Sequence, residues 1–447
     1  MSRNVDLSFK DDPGSAFFVP GYDDGLYRLG SVRPFWKPIP GGHFKGLGIS
    51  EQKRINSVWA QECPAGDMGV MFSQPIEFSS ELAVARNLVI RRNCIEICGK
   101  WALTGPAGER LLGQSFRAWA RSNLKSEWNK RLNEHFLDAS KKYKQLPTWN
   151  NNIEYLDFVI EARNLNNFFH FKKELLCSIC TLDELQNWKG RVKIVSDNPV
   201  PSAFALSWFK ALFPELTDRV DFVQAPQTFE RALIVWHSDF VFFQTGRNEI
   251  ERFVAPDHPL RSSSLTSSLY KQLRFGGHSE ALRLLREKAQ KATKGINFDH
   301  LPRRFWVSRK PGESHDRSIA NEDVIVSRLM RRGFEALYFE DLTPLEQIGV
   351  MQSAEVMVSY HGAGFSNMTY AAPGAQIVEL GTLQTARIRL GDFMCFAHVS
   401  RANYTVAVAD FEQDSGKLIP PMRGHGIYPV RIANSGLRQL MRFIDEL

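Results

Sequence analysis

The residues with the most chemical potential lie in Ser359-Tyr-His361-Gly362-Ala363-Gly364-Phe-Ser-Asn367. Two glycines directly after a buried apolar run, and ahead of a short helical segment, let the backbone come close to an anion whose charge a helix N-terminus favours. His361 and Asn367 would add side-chain donors. Many strand-to-helix turns need glycine for geometry alone, so the turn taken by itself is open between a phosphate site and a plain connection. Arg309 lies just beyond the end of another strand pattern, and Arg317 follows in the loop that begins Lys310-Pro-Gly-Glu. Either arginine alone reads as a solvated loop residue. Together with the glycine turn, two guanidinium groups suit a diphosphate, which they grip through paired hydrogen bonds.

Such residues work together only if strands carry them to one edge of a sheet. Arg304-Phe-Trp-Val-Ser308, Glu335-Ala-Leu-Tyr-Phe339, Val356-Met-Val-Ser359 and Gln376-Ile-Val-Glu-Leu380 read as strands separated by helical segments. Asn321 can N-cap a helix that has Glu322 and Asp323 in its first turn, Arg331 and Arg332 in its last and Gly333 just past its end. Thr343-Pro-Leu-Glu346 is a capping box with proline at the first helical position. Strands alternating with helices imply a parallel sheet, and ligands bind beyond the carboxyl ends of its strands. The spacing predicts a Rossmann-like domain over residues 263–432.

Upstream, short β-branched runs at Leu88, Cys94 and Trp101 predict a small antiparallel entry. Asp157-Phe-Val-Ile-Glu161 and Val192-Lys-Ile-Val-Ser196 then alternate with helical patterns at Phe168–Trp188 and Ala203–Phe213. A first Rossmann-like domain is therefore expected over 83–262. Residues 1–82 are rich in Gly, Pro and aromatics without sustained periodicity, and read as an irregular N-terminal extension. Residues 433–447 read as a C-terminal helix with Leu437, Leu440, Met441 and Ile444 on one face, and the first domain is one surface that face could dock on. The expected fold class is α/β, with two Rossmann-like domains facing a cleft.

In order along the chain, Arg309, Arg317-x-x-x-Asn321-Glu322, Gly333-Phe334, Glu346-Gln347, His361-Gly-Ala-Gly-Phe-Ser-Asn367 and Pro373-Gly-Ala-Gln-Ile-Val-Glu379 resemble the C-terminal signature of glycosyltransferase family 61. Asn167-Phe-Phe-His170-Phe-Lys-Lys-Glu174 is similar to that family's Asn-x-x-His helix, with lysines where relatives tend to be apolar. The resemblance implies a GT-B architecture of the capsular polysaccharide biosynthesis type. It also implies a nucleotide-diphosphate sugar as donor, bound in the C-terminal domain through Arg309, Arg317, Asn321, His361, Gly362, Ala363, Gly364, Asn367 and Glu379. The acceptor would be a glycan or lipid-linked glycan held largely by the N-terminal domain, and transfer would invert the anomeric carbon. Inversion needs a base for the acceptor hydroxyl and neutralisation of the leaving diphosphate. His170 and Glu174 share a helix face at i, i+4 spacing. Either is a candidate base, Glu174 is also a candidate to orient His170, and a purely structural pair stays open. Asp239, in Trp236-His-Ser-Asp-Phe, is a reserve candidate.

Asp-x-Asp, through which many glycosyltransferases hold a metal, does not occur, so neither metal nor cofactor is expected and charge on the diphosphate falls to arginines and backbone N–H groups. Gly-x-Ser-x-Gly is also missing, which argues against an α/β hydrolase despite the lipase-like His-Gly-Ala-Gly. A non-catalytic nucleotide-binding or scaffold protein is the remaining rival. The 447 residues carry a formal net charge of +7, an excess that suits an anionic ligand or membrane surface and includes no basic tract of the kind a nucleic-acid partner needs. The opening MSRNVDLSFKDD has no apolar core, and no run of 18 or more uncharged apolar residues occurs. A cytoplasmic protein is expected, peripheral at most to the inner face of a membrane, with its six cysteines as reduced thiols.

Overall fold

The computed structural model describes residues 12–63, 70–71, 75–121, 125–241, 244, 276–310, 319–413, 415–422 and 427–447. The chain divides into two compact units, Met1–Ile39 with Gln74–Lys288, and Pro40–Ser73 with Ala289–Leu447. The expected boundary at 262/263 lies outside the described residues.

In the first unit the buried run Phe158–Glu161 pairs in parallel with Val192–Ser196 on one flank and with Gln227–His237 on the other. Val220–Gln224 continues the parallel part beyond Val192–Ser196. The chain therefore steps outward through two strands and then returns to the opposite flank of the first. That reversal falls between Phe158–Glu161 and Gln227–His237, whose last residues, Glu161 and His237, stand at the carboxyl edge where doubly wound sheets bind ligands. The other half of the sheet is antiparallel. Ser80–Arg91 runs against Gln227–His237, and Cys94–Ile97 and Lys100–Ala102 complete a meander. Cys98 and Gly99 both have positive φ, as a two-residue hairpin turn requires. Turns this tight join only antiparallel neighbours, so these strands are the antiparallel entry expected at Leu88, Cys94 and Trp101, and they share one mixed sheet with the parallel strands. Helices Gly105–Arg121 and Lys125–Lys142 bury Leu111, Leu112, Phe116 and Trp119 with Leu132 and Phe136 in one cluster.

The second unit follows the expected logic closely. Arg304–Val307 lies between Glu335–Leu337 and Val356–Tyr360, and Gln376–Thr382 and Asn403–Phe411 extend the sheet, all in parallel. Numbered along the chain, the order is 2-1-3-4-5, so the reversal sits between Arg304–Val307 and Val356–Tyr360. The helix Pro344–Ser353 starts with the predicted capping box, in which Thr343 and Glu346 bond reciprocally. Asn321 occupies the N-cap position of Glu322–Met330, but its side chain makes no capping bond. It instead clasps both the carbonyl and the amide of Ile432.

The described residues among 1–82 do not form an irregular extension. Phe17–Phe18 and Leu26–Arg28 join the first unit's sheet, and Trp36–Pro38 with Ile76–Phe78 and Gly277–Ser279 forms a small second sheet there. His43–Gly48 adds a further parallel strand to the second unit, against Asn403–Phe411. Its buried face is Phe44, Gly46 and Gly48, so glycine occupies positions where an apolar side chain would have marked a strand. Gly48 is packed so closely that a Cβ would stand 2.7 Å from Asn56 Oδ1. The terminal helix Asn434–Asp445 packs Leu437, Leu440, Met441 and Ile444 into the second unit's core beside Ile325 and Leu329. It does not belong to the first. Among the described residues no helix is long and apolar enough to cross a membrane.

If residues 1–82 supply strands to both units, a chain beginning at residue 83 should fail to fold. The expected result is loss of the cooperative thermal transition and of near-ultraviolet circular dichroism, whereas a dispensable extension would leave both intact.

Candidate functional site

At the reversal of the second unit's sheet, the structure brings Arg309 against the His361–Gly364 turn. Arg309 follows the strand Arg304–Val307, and its Nη2 donates to the carbonyl of His361 at 2.8 Å. The backbone of Gly362 is extended, with φ 179°, so space and not strain demands glycine there. A Cβ on Gly362 would lie 1.7 Å from Arg309 Nη2. At Gly364 the nearest atom would be Cδ2 of the Phe339 ring at 3.2 Å, so the tighter constraint is on Gly362. The helix Ala363–Tyr370 starts at this turn, and the first amides of a helix are the ones left without intrahelical partners. One guanidinium and a helix N-terminus thus meet at one carboxyl edge, an arrangement able to hold a phosphate.

Behind the turn, His361 is buried and its Nδ1 donates to Glu379 Oε1 at 2.6 Å. Glu379 Oε2 accepts the hydroxyl of Tyr404, whose pKa burial and the Glu379 carboxylate push well above the ordinary value. Tyr404 therefore stays protonated and donates. With both oxygens occupied and the carboxyl buried, Glu379 holds the imidazole and is not a ligand contact itself. Asn367 is also fully buried, and donates to Gln347 Oε1 at 3.1 Å, while Gln347 donates to the carbonyls of Phe339 and Leu342. That chain fixes the short helix to its neighbour, so Asn367 is a brace and not the donor expected of it. Asn321, held on Ile432, is likewise a brace. Arg317 lies outside the described residues.

In the first unit His170 and Glu174 meet at the carboxyl edge near the reversal. Asn167 caps the helix by accepting from the amides of Phe169 and His170. The helix then widens to a π turn over Phe171–Leu176, a distortion frequent at functional sites. His170 Nδ1 donates to Glu174 Oε1 at 2.6 Å, and Arg110 Nη1 donates to Glu174 Oε2 at 2.7 Å. Burial pushes the Glu174 carboxyl up, but Arg110 and the His170 bond override it and hold the pKa at about 2. A carboxylate that acidic and doubly engaged is a poor base, which leaves His170 as the better proton acceptor of the two and Glu174 as the group that holds its ring. Arg110 and Glu161, which Arg110 also contacts, were not singled out by sequence reasoning. The signal was present in Glu161, a carboxylate closing an otherwise apolar buried strand.

Asp239 is elsewhere on this edge. Its Oδ1 accepts from the Gly105 amide at 3.0 Å, at the start of helix Gly105–Arg121, and burial pushes its pKa up to about 7. His237 is buried, with Nδ1 2.9 Å from Ser80 Oγ, and burial pushes its pKa down to about 4. A pocket of about 40 Å³ touches Glu161, Glu174, Ser178, His237 and Thr104. It has room for a water-sized group and not for a sugar ring.

Residues 168–378 match the family model described as Glycosyltransferase 61. The matched span takes in His170, Glu174, Asp239, Arg309 and the His361–Gly364 turn, and leaves Arg110, Glu161, Glu379 and Tyr404 outside it. No curated protein matches the chain.

The two lysines that looked out of place in the His170 helix differ, Lys173 being only half-buried with its Nζ 5.4 Å from the centre of the Phe169 ring. Lys172 is fully buried, its Nζ 4.5 Å from the centre of the Phe168 ring and 4.1 Å from that of Trp208. The ring faces favour the cation, yet burial pulls its pKa well below the ordinary value. A lysine whose pKa falls on folding keeps its proton more firmly in the unfolded chain. Folding therefore strengthens as pH rises from the lowered folded-state pKa toward the unfolded lysine pKa of about 10.4, by at most about 1.4 kcal/mol per pH unit from this group. Denaturant titrations at stepped pH should show that rise in the wild type and a flatter profile in Lys172→Met. Parallel profiles would mean that Lys172 keeps its proton in the folded state.

Proposed function

Because its glycosyltransferase family 61 domain makes the chain a glycosyltransferase, we propose that it inverts the anomeric carbon of a nucleotide-diphosphate sugar while passing the sugar to a hydroxyl of a glycan or lipid-linked glycan. The observation that carries the reading is Arg309 laid against Gly362 at the start of a helix, at the point where the second unit's strand order reverses. That turn supplies a guanidinium, helix-end amides and a carboxylate-anchored imidazole for the donor's phosphates. The second unit would take the donor and the first the acceptor, which is the division of labour of a GT-B enzyme.

In the reaction, His170 Nε2 accepts the acceptor's hydroxyl proton. The oxygen forms its bond to the anomeric carbon as the bond to the diphosphate breaks, and the electron pair leaves with the diphosphate. Glu174 steadies the imidazolium that results, while Arg309 and the turn amides offset charge on the leaving group. With that charge met by protein groups, no divalent ion is needed, and surface polysaccharide assembly is the setting we propose. The rival reading, a scaffold that binds nucleotide without chemistry, differs in turning nothing over.

Two measurements test these assignments. With UDP and GDP as calorimetric probes, Arg309→Ala should weaken binding of the preferred nucleotide by about 1.5–3 kcal/mol, the range for a hydrogen bond to a charged group. Gly362→Ala should do the same by displacing Arg309, and the double variant should be no weaker than the worse single one. Additive losses would mean that arginine and turn act on different ligands or on none.

The second measurement is turnover of a panel of nucleotide sugars in the presence of chelator. The wild type should release nucleoside diphosphate, and His170→Ala should be slower by about 10² to 10⁴ with nucleotide affinity unchanged. Near-normal turnover in His170→Ala would move the base to Asp239, and loss of wild-type turnover in chelator would overturn the metal-free mechanism.

A further inference from the structure

The ion pair behind His170 extends to a third residue. Arg110 comes from helix Gly105–Arg121, is almost fully enclosed, and spans two carboxylates, Glu174 through Nη1 at 2.7 Å and Glu161 through Nη2. Glu161 is held in turn by the Asn93 amide, which donates to Oε1 at 2.9 Å. Both carboxylates are buried, and the His170 side chain is 23% exposed. The fully buried part of the cluster thus contains two carboxyl groups and one guanidinium, and burial pushes the Glu161 carboxyl above its ordinary value even with Arg110 and the Asn93 amide against it. His170 is the remaining member able to gain positive charge.

Other charged groups bear on the cluster from their own elements. Arg163, exposed just past the Phe158–Glu161 strand, acts on both carboxylates and on Arg110, and Arg92 acts on Arg163. Glu109 acts on Arg110 and on Asp239, and Lys173 acts on Asp239. None of these replaces Arg110 as the bridge between the two buried carboxylates.

We propose that Arg110 is a positioning residue: shared between Glu161 and Glu174, it holds the Glu174 carboxylate in place against His170 Nδ1 and offsets part of its charge there. The proposal deepens the reading of His170 as the base. It rests on contacts from Arg110 and Glu161, both outside the family-matched span. Without Arg110, the Glu174 carboxylate would face the imidazole with its charge no longer offset and would favour its protonation before substrate arrives. Without Glu161, Arg110 would act on Glu174 alone and the imidazolium would be less favoured.

The test reads His170 directly and needs no substrate. Protein labelled with ¹³C at histidine Cε1 is titrated by NMR, the His170 signal being assigned from its loss in His170→Gln. Relative to wild type, His170 should titrate at higher pH in Arg110→Gln, by on the order of one unit, the scale on which a nearby charge acts. It should titrate at lower pH in Glu161→Gln, and close to the wild-type value in the double variant, because the two charges removed are opposite. A purely structural role for Arg110 predicts no such reversal.

Unmoved titration in Glu161→Gln, or a double variant displaced as far as Arg110→Gln, overturns the proposal. Should Arg110→Gln alone fail to fold, Glu161→Gln and the double variant decide it. If the shifts appear while no nucleotide sugar is turned over by the wild type, the reading of His170 as a transferase base fails and the positioning role stands.

Discussion

A parallel strand cannot turn back directly onto its neighbour, so each crossover must travel the length of the sheet and every carboxyl end collects on the same edge. That constraint decides where chemistry is possible in both units. In each, the strand order reverses once beside the first parallel strand, and the residues closing the two strands at the reversal, or following directly on them, are the polar ones. In the first unit these are Glu161 and His237, and in the second Arg309 and His361. The rest of each fold supplies helices whose N-termini reach the same edge: Gly105–Arg121 and the His170 helix in one, Ala363–Tyr370 in the other.

The two edges use one electrostatic device in two forms. Each has an imidazole whose Nδ1 donates to a buried carboxylate at 2.6 Å, and each carboxylate is fixed from its other oxygen. The second anchor differs. Tyr404 is neutral and leaves the full charge of Glu379 facing His361, whereas Arg110 is cationic and offsets part of the charge of Glu174. The same pair is therefore backed by a neutral hydroxyl on one edge and by a cation on the other.

The second unit was legible in the sequence because each of its signals is local. The strand runs at Arg304, Val356 and Gln376, the capping box at Thr343 and the Gly333 stop all act within a few residues, and each falls where expected. The positions of Arg309 and the glycine turn followed from those strands. What failed was non-local. Asn321, Asn367 and Glu379 are polar residues within a functional-looking motif, but their bonds go to Ile432, Gln347, and His361 with Tyr404, partners that spacing does not reveal. Arg110 was missed for the same reason, since it lies 51 and 64 positions from the two carboxylates it bridges. In the strand His43–Gly48, packing selected glycine for the buried face and erased the alternation that normally announces a half-buried strand.

That strand also sets a timetable for the chain's synthesis. His43 pairs with Asn403, 360 positions later, and the neighbouring pairs through Gly48 and Val408 are equally distant. At about 5–20 residues per second, the partner strand is made on the order of half a minute after His43–Gly48 leaves the ribosome. Through that interval the first unit can gather its own strands, while His43–Gly48 has the short antiparallel strand Val70–Met71 on one side and lacks its parallel neighbour on the other. The nascent chain thus carries a strand with one open side through most of its translation, and a holdase that shields extended apolar segments would act here, near the N-terminus, more than on the late-made parallel core.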